Sequence, residues 1–387
     1  MNNKKAVIYG GGNIGRGFVG QLFYLSGYET VFVDVADWLV DSLNREKGYN
    51  IVVIDNDKKI KQRVENVRAV NGKDMDAAAA EIAECEIMAT AVGVNVLPRI
   101  APVLAKGIEM RFQKRSSDPL NIIICENLID ADKFLQEQVR NCLPNEIAKR
   151  LDDYVGFIEA SVGRMVPIMT DEMKREDPLA IRVEPFCELP VDRNGYRGNM
   201  PNIKNIEPRS NFGFYIRRKL FLHNLGHASC AYLGADKGYT YIYEAIADPE
   251  ILETVRAAMY QSSKALQAEY SVPIEEIIKH ADDLISRFGN TGLRDTVERV
   301  ARDPMRKLMS DDRLLGAALL CIKHSLPYDA ITHCIRCALE YNNIEDPSAV
   351  KMQSIINENG LKSFLVEHCG LTDEKHQGAS ILLDEIL

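Results

Sequence analysis

The chain has 387 residues, 46% of them hydrophobic and 27% charged, the composition of a globular protein long enough for two or three domains with a core in each. Its 47 Lys and Arg against 56 Asp and Glu give a formal charge of −9, which argues against a nucleic-acid-binding surface but leaves room for a small local anion site. No apolar run approaches the roughly 18 residues of a membrane span, and MNNKKAVIYGGG lacks the apolar core of a secretory signal, so a cytoplasmic protein without a membrane partner is expected.

The first strong signal is AVIYGGGNIGRGFVGQLFYLSGYETVFVD. Residues 6–9 read as a strand, 14–25 as an apolar-periodic helix closed by Gly27, and 30–33 as a second strand. Between strand and helix, Gly10, Gly12 and Gly15 match GxGxxG, with Asn13 and Ile14 inside the turn and Asp34 about 20 residues on. Gly10 permits the tight turn, Gly12 lets the backbone approach a pyrophosphate, and Gly15 lets helix and strand pack closely. The helix N-terminus offers N–H groups to the anion, and Asp34 accepts from the ribose hydroxyls while repelling a 2′-phosphate. The expected cofactor is therefore NAD rather than NADP.

The α/β pattern continues with strands at 51–54, 64–70, 86–90 and 121–125 and helices at 77–83 and 98–106. Open parallel sheets bind ligands at the carboxyl ends of their strands. Thr90, Ala91 and Val92 after one strand, and Glu126 and Asn127 after another, are thus candidates to line the cofactor. From 155 the chain reads as a strand and loop (VGFIEASVGRMVP), then as irregular strand-like sequence over 181–189 with a turn at Asn194-Gly195. Beyond 208 it is helical, at 215–233, 241–262, 273–287, 314–322 and 329–340. The expected fold is an α/β Rossmann-type N-terminal domain, 1–200, followed by a mainly α-helical C-terminal domain, 201–387. Nine cysteines, an odd number with no paired CxxC, suggest reduced and mostly buried thiols. His333, Cys334 and Cys337 form the tightest cluster, but the period of their segment is that of a core helix, so no metal is expected.

The helical half carries FYIRRKLFLHNLGHASCAYLG. At about 100° per residue, Lys219, His223, Asn224 and His227 fall within one arc of about 140°. Two readings are open for this face: a hydrated stripe with a snorkelling Lys219, or a site in which a desolvated Lys219 serves as general base.

GGGNIGRGF, CEN after a strand, GFIEASVGRMVP, the K-x4-N-x2-H pattern of KLFLHNLGH and RFGNTGLRDTVERVARDPMRKL occur in colinear order. Together they resemble the polyol-specific long-chain dehydrogenase/reductase family, from about residue 5 to past residue 320. The resemblance implies a metal-independent, NAD-linked oxidation of a secondary alcohol by a monomer whose substrate lies between the two domains. Lys219 would be the base, Asn224 a donor to the developing alkoxide and His227 the group orienting a neighbouring hydroxyl. The resemblance is greatest to members acting on a polyol phosphate, D-mannitol 1-phosphate going to D-fructose 6-phosphate. Relatives that use a free polyol or a hexuronate are the alternative, and an NAD-binding protein without redox chemistry is a more distant one. Free-polyol members carry an Asn where this chain has Glu159, and an Asp where it has Gly163. A carboxylate donates no hydrogen bond unless protonated, so Glu159 is expected to pair with Lys219 or bind a substrate hydroxyl. Arg299 and Lys307 match the family's polyol-contacting basic pair and, with Arg302 and Arg306, suggest a cationic cluster for the phosphate.

Overall fold

In the computed structural model, which describes residues 4–114, 118–167, 169 and 171–387, the chain divides into two compact units, Met1–Phe212 and Gly213–Leu387. The strands of the first unit, in chain order, are β1 (Lys5–Tyr9), β2 (Glu29–Asp34), β3 (Gly48–Asp55), β4 (Lys58–Glu65), β5 (Val67–Asn71), β6 (Ile87–Thr90), β7 (Leu120–Ile124), β8 (Val155–Glu159), β9 (Ile181–Val183), β10 (Leu189–Asp192) and β11 (Ile206–Arg209). Six of them form a parallel sheet in the order β5-β2-β1-β6-β7-β8. Chain direction across the sheet reverses between β1 and β6, which is where a Rossmann-type sheet opens its ligand crevice.

Alternation along the strands supplies both faces with a core. Ala6, Ile8, Phe32, Ala89 and Ile123 pack on one side with Phe18 and Leu22 of the glycine-rich helix; Val7, Val31, Val33, Met88 and Ile122 pack on the other with Ile82, Leu104 and Ile108. The segment expected to be one strand over 64–70 is two. Asn66 takes a left-handed φ of 57° and turns the chain from β4, antiparallel to β3, into β5 of the main sheet. β3 also pairs with β9, and β10 with β11. The last pairing keeps the chain beyond residue 200 within the first unit.

The second unit is helical. Phe212–Arg218, a π-helical stretch Lys219–Asn224 and Leu225–Asp236 run on without a break. The helix expected over 241–262 is two, Ile242–Ala247 and Pro249–Tyr270, because Asp248 accepts from Glu250 N and Ile251 N as an N-cap with Pro249 behind it. Ile274–Phe288, Leu315–Lys323 and Asp329–Glu340 follow the expected positions closely. On the last of these His333 is exposed and Cys334 buried, so the two do not converge. Among the described residues no helix is long and apolar enough to cross a membrane, and no group of three or more His, Cys, Asp or Glu is placed to hold a metal ion.

Candidate active site

The glycine-rich turn is held by groups on three elements. Gly10 has a φ of 103°, and a Cβ there would lie 2.4 Å from the Ala91 carbonyl oxygen. A Cβ on Gly15 would lie 1.9 Å from the Gly10 carbonyl oxygen, so this glycine is what lets the helix start against the strand. At Gly12 a Cβ would meet nothing within 4 Å. Gly12 and Asn13 are exposed, Ile14 half-buried, and the first N–H groups of the helix follow at once. This open cradle, bounded by backbone donors, fits a pyrophosphate.

Asp34, at the end of β2, accepts from Gly11 N through Oδ2 at 2.8 Å and from Ala36 N through Oδ1 at 3.0 Å. Both oxygens are thereby oriented, and each retains a lone pair for a ribose hydroxyl. Arg16 is the buried support that sequence reasoning missed. Its Nε donates to Gly11 O at 2.6 Å and its Nη1 to Leu179 O at 2.5 Å, tying the turn to the segment before β9. Arg164 is likewise buried, donating to Gly17 O and Glu184 O, so the loop beside Gly163 is fastened to the helix by its arginine.

Thr90, Ala91, Val92, Glu126 and Asn127 lie at the ends of the adjacent strands β6 and β7. Glu126 is buried; its Oε2 accepts from Thr90 Oγ1 at 2.6 Å and its Oε1 from Val92 N at 2.9 Å. Burial raises its pKa against these donors. The side chains of Thr90 and Glu126 are thus turned on each other, a lock that shapes the loop, while Asn127 is exposed.

Glu159 ends β8. Burial, then the neighbouring charge of Asp132, push its carboxyl up to about 7, with backbone N–H groups of Asp130 and Ala131 opposing the shift. Glu159 Oε1 and Asp132 Oδ1 are both buried without a hydrogen-bond partner. A carboxyl whose folded pKa lies above its unfolded value stabilises the fold below the unfolded pKa, and that contribution is lost as pH rises through the folded one. Glu159→Gln is therefore expected to leave stability near pH 4.5 little changed and to raise it at pH 8 by about 1–2 kcal/mol, softened because water reaches part of the group. Thermal melts of both proteins across that range check this; a parallel pH dependence for the two would exclude it.

In the second unit, Lys219, Asn224 and His227 lie on one continuous helix, the first two within its π-helical stretch. A π-helical turn advances less per residue than the 100° used above, so the polar arc is set by the wider turn; such turns recur at functional sites. Lys219 and Asn224 are half-buried, His223 buried. His227 stacks on Phe288, with ring centroids 5.0 Å apart and planes at 7°. Its Nε2 lies 3.1 Å from Asp295 Oδ2, at ion-pair distance but off the line of a hydrogen bond. Asp295 is gripped from its other side by Arg299, Nε to Oδ1 at 2.5 Å and Nη2 to Oδ2 at 2.6 Å. Although burial acts to raise it, these two partners hold Asp295 well below the usual carboxylate range. The result is a chain Arg299–Asp295–His227 leading to the lysine-bearing helix. Asp295 was not singled out from the sequence; its spacing of four before Arg299 in RDTVER was the available signal.

Two arginines of the cationic cluster expected from 299 to 307 have acids of their own. Arg299 is engaged by Asp295, and Arg306 by Asp303 and Asp312. Lys307 is buried; burial, then Arg313 and Arg306, push its amine down to about 7, against the pull of Asp303 and Asp346. The backbone reason is local. Thr296 and Asp303 each start a short helix, and each arginine sits one turn from an acid.

Two family models match the chain, one described as the mannitol dehydrogenase Rossmann domain over residues 4–205 and one as the mannitol dehydrogenase C-terminal domain over residues 211–379. Among solved structures, the fold is similar to that of Pseudomonas fluorescens mannitol 2-dehydrogenase, solved as a ternary complex with NAD and D-mannitol, at 14% identity and a TM-score of 0.76, over 99% of this chain and 90% of that one. It is also similar to a D-sorbitol dehydrogenase in substrate-free form, at 14% identity and a TM-score of 0.83, over 99% of this chain and 92% of that one. At such identity the likeness is one of fold.

Proposed function

Because the chain belongs to the mannitol dehydrogenase family, we propose that it is an NAD-dependent dehydrogenase of the mannitol-1-phosphate 5-dehydrogenase type, interconverting D-mannitol 1-phosphate and D-fructose 6-phosphate. The observation that carries this reading is the lysine-bearing helix, with His227 set by Asp295 and Arg299 two turns beyond Lys219. NAD, when bound, supplies the hydride acceptor. Gly10, Gly12, Asn13, Ile14 and Gly15 would hold its pyrophosphate, Asp34 its ribose, and the Thr90–Ala91–Val92 and Glu126–Asn127 loops its nicotinamide end.

Lys219 takes the proton of the C5 hydroxyl as the C–H bond is broken, and in the reverse direction returns it to the oxygen. Asn224 donates its amide N–H to the oxygen as negative charge develops there. His227 hydrogen-bonds the neighbouring hydroxyl, and Asp295 keeps its imidazole oriented. Lys307, a buried amine poised near neutrality, is suited to a further polyol hydroxyl. Glu159, held protonated to about pH 7, is able to donate a hydrogen bond where a free-polyol relative would use an amide.

Asp295→Asn is expected to lower kcat about tenfold, through a misdirected His227, with the KM for NADH unmoved. Steady-state kinetics decide, and an unchanged kcat would remove His227 from the reacting geometry. The reading as a whole is tested by NADH oxidation with fructose 6-phosphate, fructose and tagaturonate side by side. The highest kcat/KM is expected with fructose 6-phosphate; no turnover of it would sink the proposal in favour of a free-polyol or hexuronate enzyme.

A further inference from the structure

The side of the lysine-bearing helix turned away from Lys219 closes a cavity of about 400 Å³. Arg217 and Phe221 line it, four residues apart and so on one side of the helix, with the guanidinium 5.2 Å from the Phe221 ring centroid. Residues two apart lie about 200° round a helix, which puts Lys219 on the far side from both. Leu319 and Leu320 of the helix Leu315–Lys323, with Tyr270 at the end of Pro249–Tyr270, complete an apolar wall.

The remaining wall is polar and built round a buried hydroxyl. Ser310 is fully buried, and its backbone N–H donates to Cys369 O at 2.8 Å. Its Oγ accepts from Lys375 Nζ at 3.2 Å and lies 2.9 Å from His376 Nε2. A lysine ammonium only donates, so Ser310 keeps its own proton for Nε2. Burial, then the charge of Lys375, lower His376 from the ordinary imidazole range, and the neutral ring carries its proton on Nδ1. Among the described residues nothing accepts from that N–H.

The charges on these walls leave one cation over. Glu269 is held by Lys323 at 2.6 Å and by His324 at 2.8 Å, and Asp311 lies 3.7 Å from Lys375. Arg217 lies over Phe221 and beside the Tyr270 hydroxyl, with no acid at ion-pair distance among the described residues. The cavity falls within the range of small-molecule sites, about 300–1,000 Å³. One unmatched guanidinium suits a monoanion better than a phosphate dianion, and the apolar wall suits a ligand with a hydrocarbon body.

We propose that this cavity is a second ligand site, seating a monocarboxylate with an aromatic or branched hydrocarbon body. The carboxylate lies between Arg217 and the Ser310–Lys375–His376 cluster and accepts from the guanidinium, while the body rests on Phe221, Leu319 and Leu320. Lys219 is on the other side of the same helix, so this ligand and the reacting alcohol do not compete.

Isothermal titration of the full chain, saturated with NADH, with benzoate as the probe tests the site. Saturable binding at about 1 mM or tighter is expected. Benzyl alcohol, which lacks the charge, and inorganic phosphate, which lacks the body, should each bind at least about tenfold more weakly. Arg217→Gln should weaken benzoate about tenfold or more. Leu320→Trp, at a half-buried lining position, fills the cavity and should abolish binding. Unchanged NADH binding reports that the variants are folded. No saturation in the wild type, equal affinity for benzyl alcohol, tighter binding of phosphate, or an unchanged benzoate affinity in either folded variant overturns the proposal. Displacement of benzoate by fructose 6-phosphate also overturns it, because the two would then share the reacting site.

Discussion

Lys219→Ala is expected to lower kcat for both directions of the reaction by about 10²- to 10⁴-fold, the usual contribution of a positioned acid–base group, while NADH binds as before. Lys219 stands at the start of the π-helical stretch, half-buried, with Asn224 and His227 further along the same helix. If its amine moves the hydroxyl proton, its removal leaves substrate and cofactor bound but strips the transition state of its proton acceptor, so the loss falls on kcat rather than on KM. Lys219→Arg should be no better, because a guanidinium does not release its proton in a protein. A small primary amine added to Lys219→Ala should restore part of the rate, and the restored rate should rise with the fraction of free amine. An NAD-binding protein without redox chemistry would show no rate to lose, and a purely structural lysine would show no rescue. Stopped-flow measurement of NADH oxidation at saturating fructose 6-phosphate separates these cases.

The cofactor half of the molecule was legible in the sequence because its physics is local. Gly10 and Gly15 each answer a steric demand of one turn, Gly12 leaves its outer side open, and the strands β1, β2, β6 and β7 are apolar runs that need only be buried on both faces. The helices Asp37–Glu46 and Ala131–Cys142 went unread, since Leu39, Val40 and Leu43 in one, and Leu135 and Val139 in the other, are sparse stripes on polar segments. Likewise the break at Asn66 is a single left-handed residue between the β-branched Val64 and Val67. At the site, Lys219, Asn224 and His227 were visible as a pattern, but Asp295 and Asp132 were not. Their importance comes from partners far along the chain, His227 for Asp295 and Glu159 for Asp132, and no period or spacing encodes such a meeting. In the cationic run 299–307 the acid partners of Arg299 and Arg306 were equally unseen. Asp295 folds back on Arg299, and Asp303 and Asp312 on Arg306.

The second large effect separates two glycines of one motif. Gly12→Val is expected to weaken NAD binding by about 1–3 kcal/mol, the cost of overpacking a fitted space, or roughly tenfold to hundredfold in Kd. It should leave the melting temperature of the cofactor-free protein within about 2 °C of the wild type, since an exposed substitution that strikes nothing costs little. At Gly12 a Cβ meets nothing within 4 Å and the backbone does not have a left-handed φ. Among the described residues nothing stands against that Cβ, so the valine is expected to strike the ligand. Gly15→Ala reverses the order: its Cβ would sit 1.9 Å from the Gly10 carbonyl oxygen, a clash with backbone that cannot be relieved by a side-chain rotation. Helix and strand must part, and since Phe18 and Leu22 on that helix pack against Ile8 and Phe32 of the sheet, the core opens with them. Gly15→Ala should therefore lower the melting temperature of the cofactor-free protein by several degrees, as a loss of about 1–3 kcal/mol does in a domain of this size. Differential scanning of both variants with and without NAD distinguishes the two roles. If Gly12→Val melted early without cofactor, or if it kept the full NAD-induced rise, the open space at Gly12 would not be the pyrophosphate cradle.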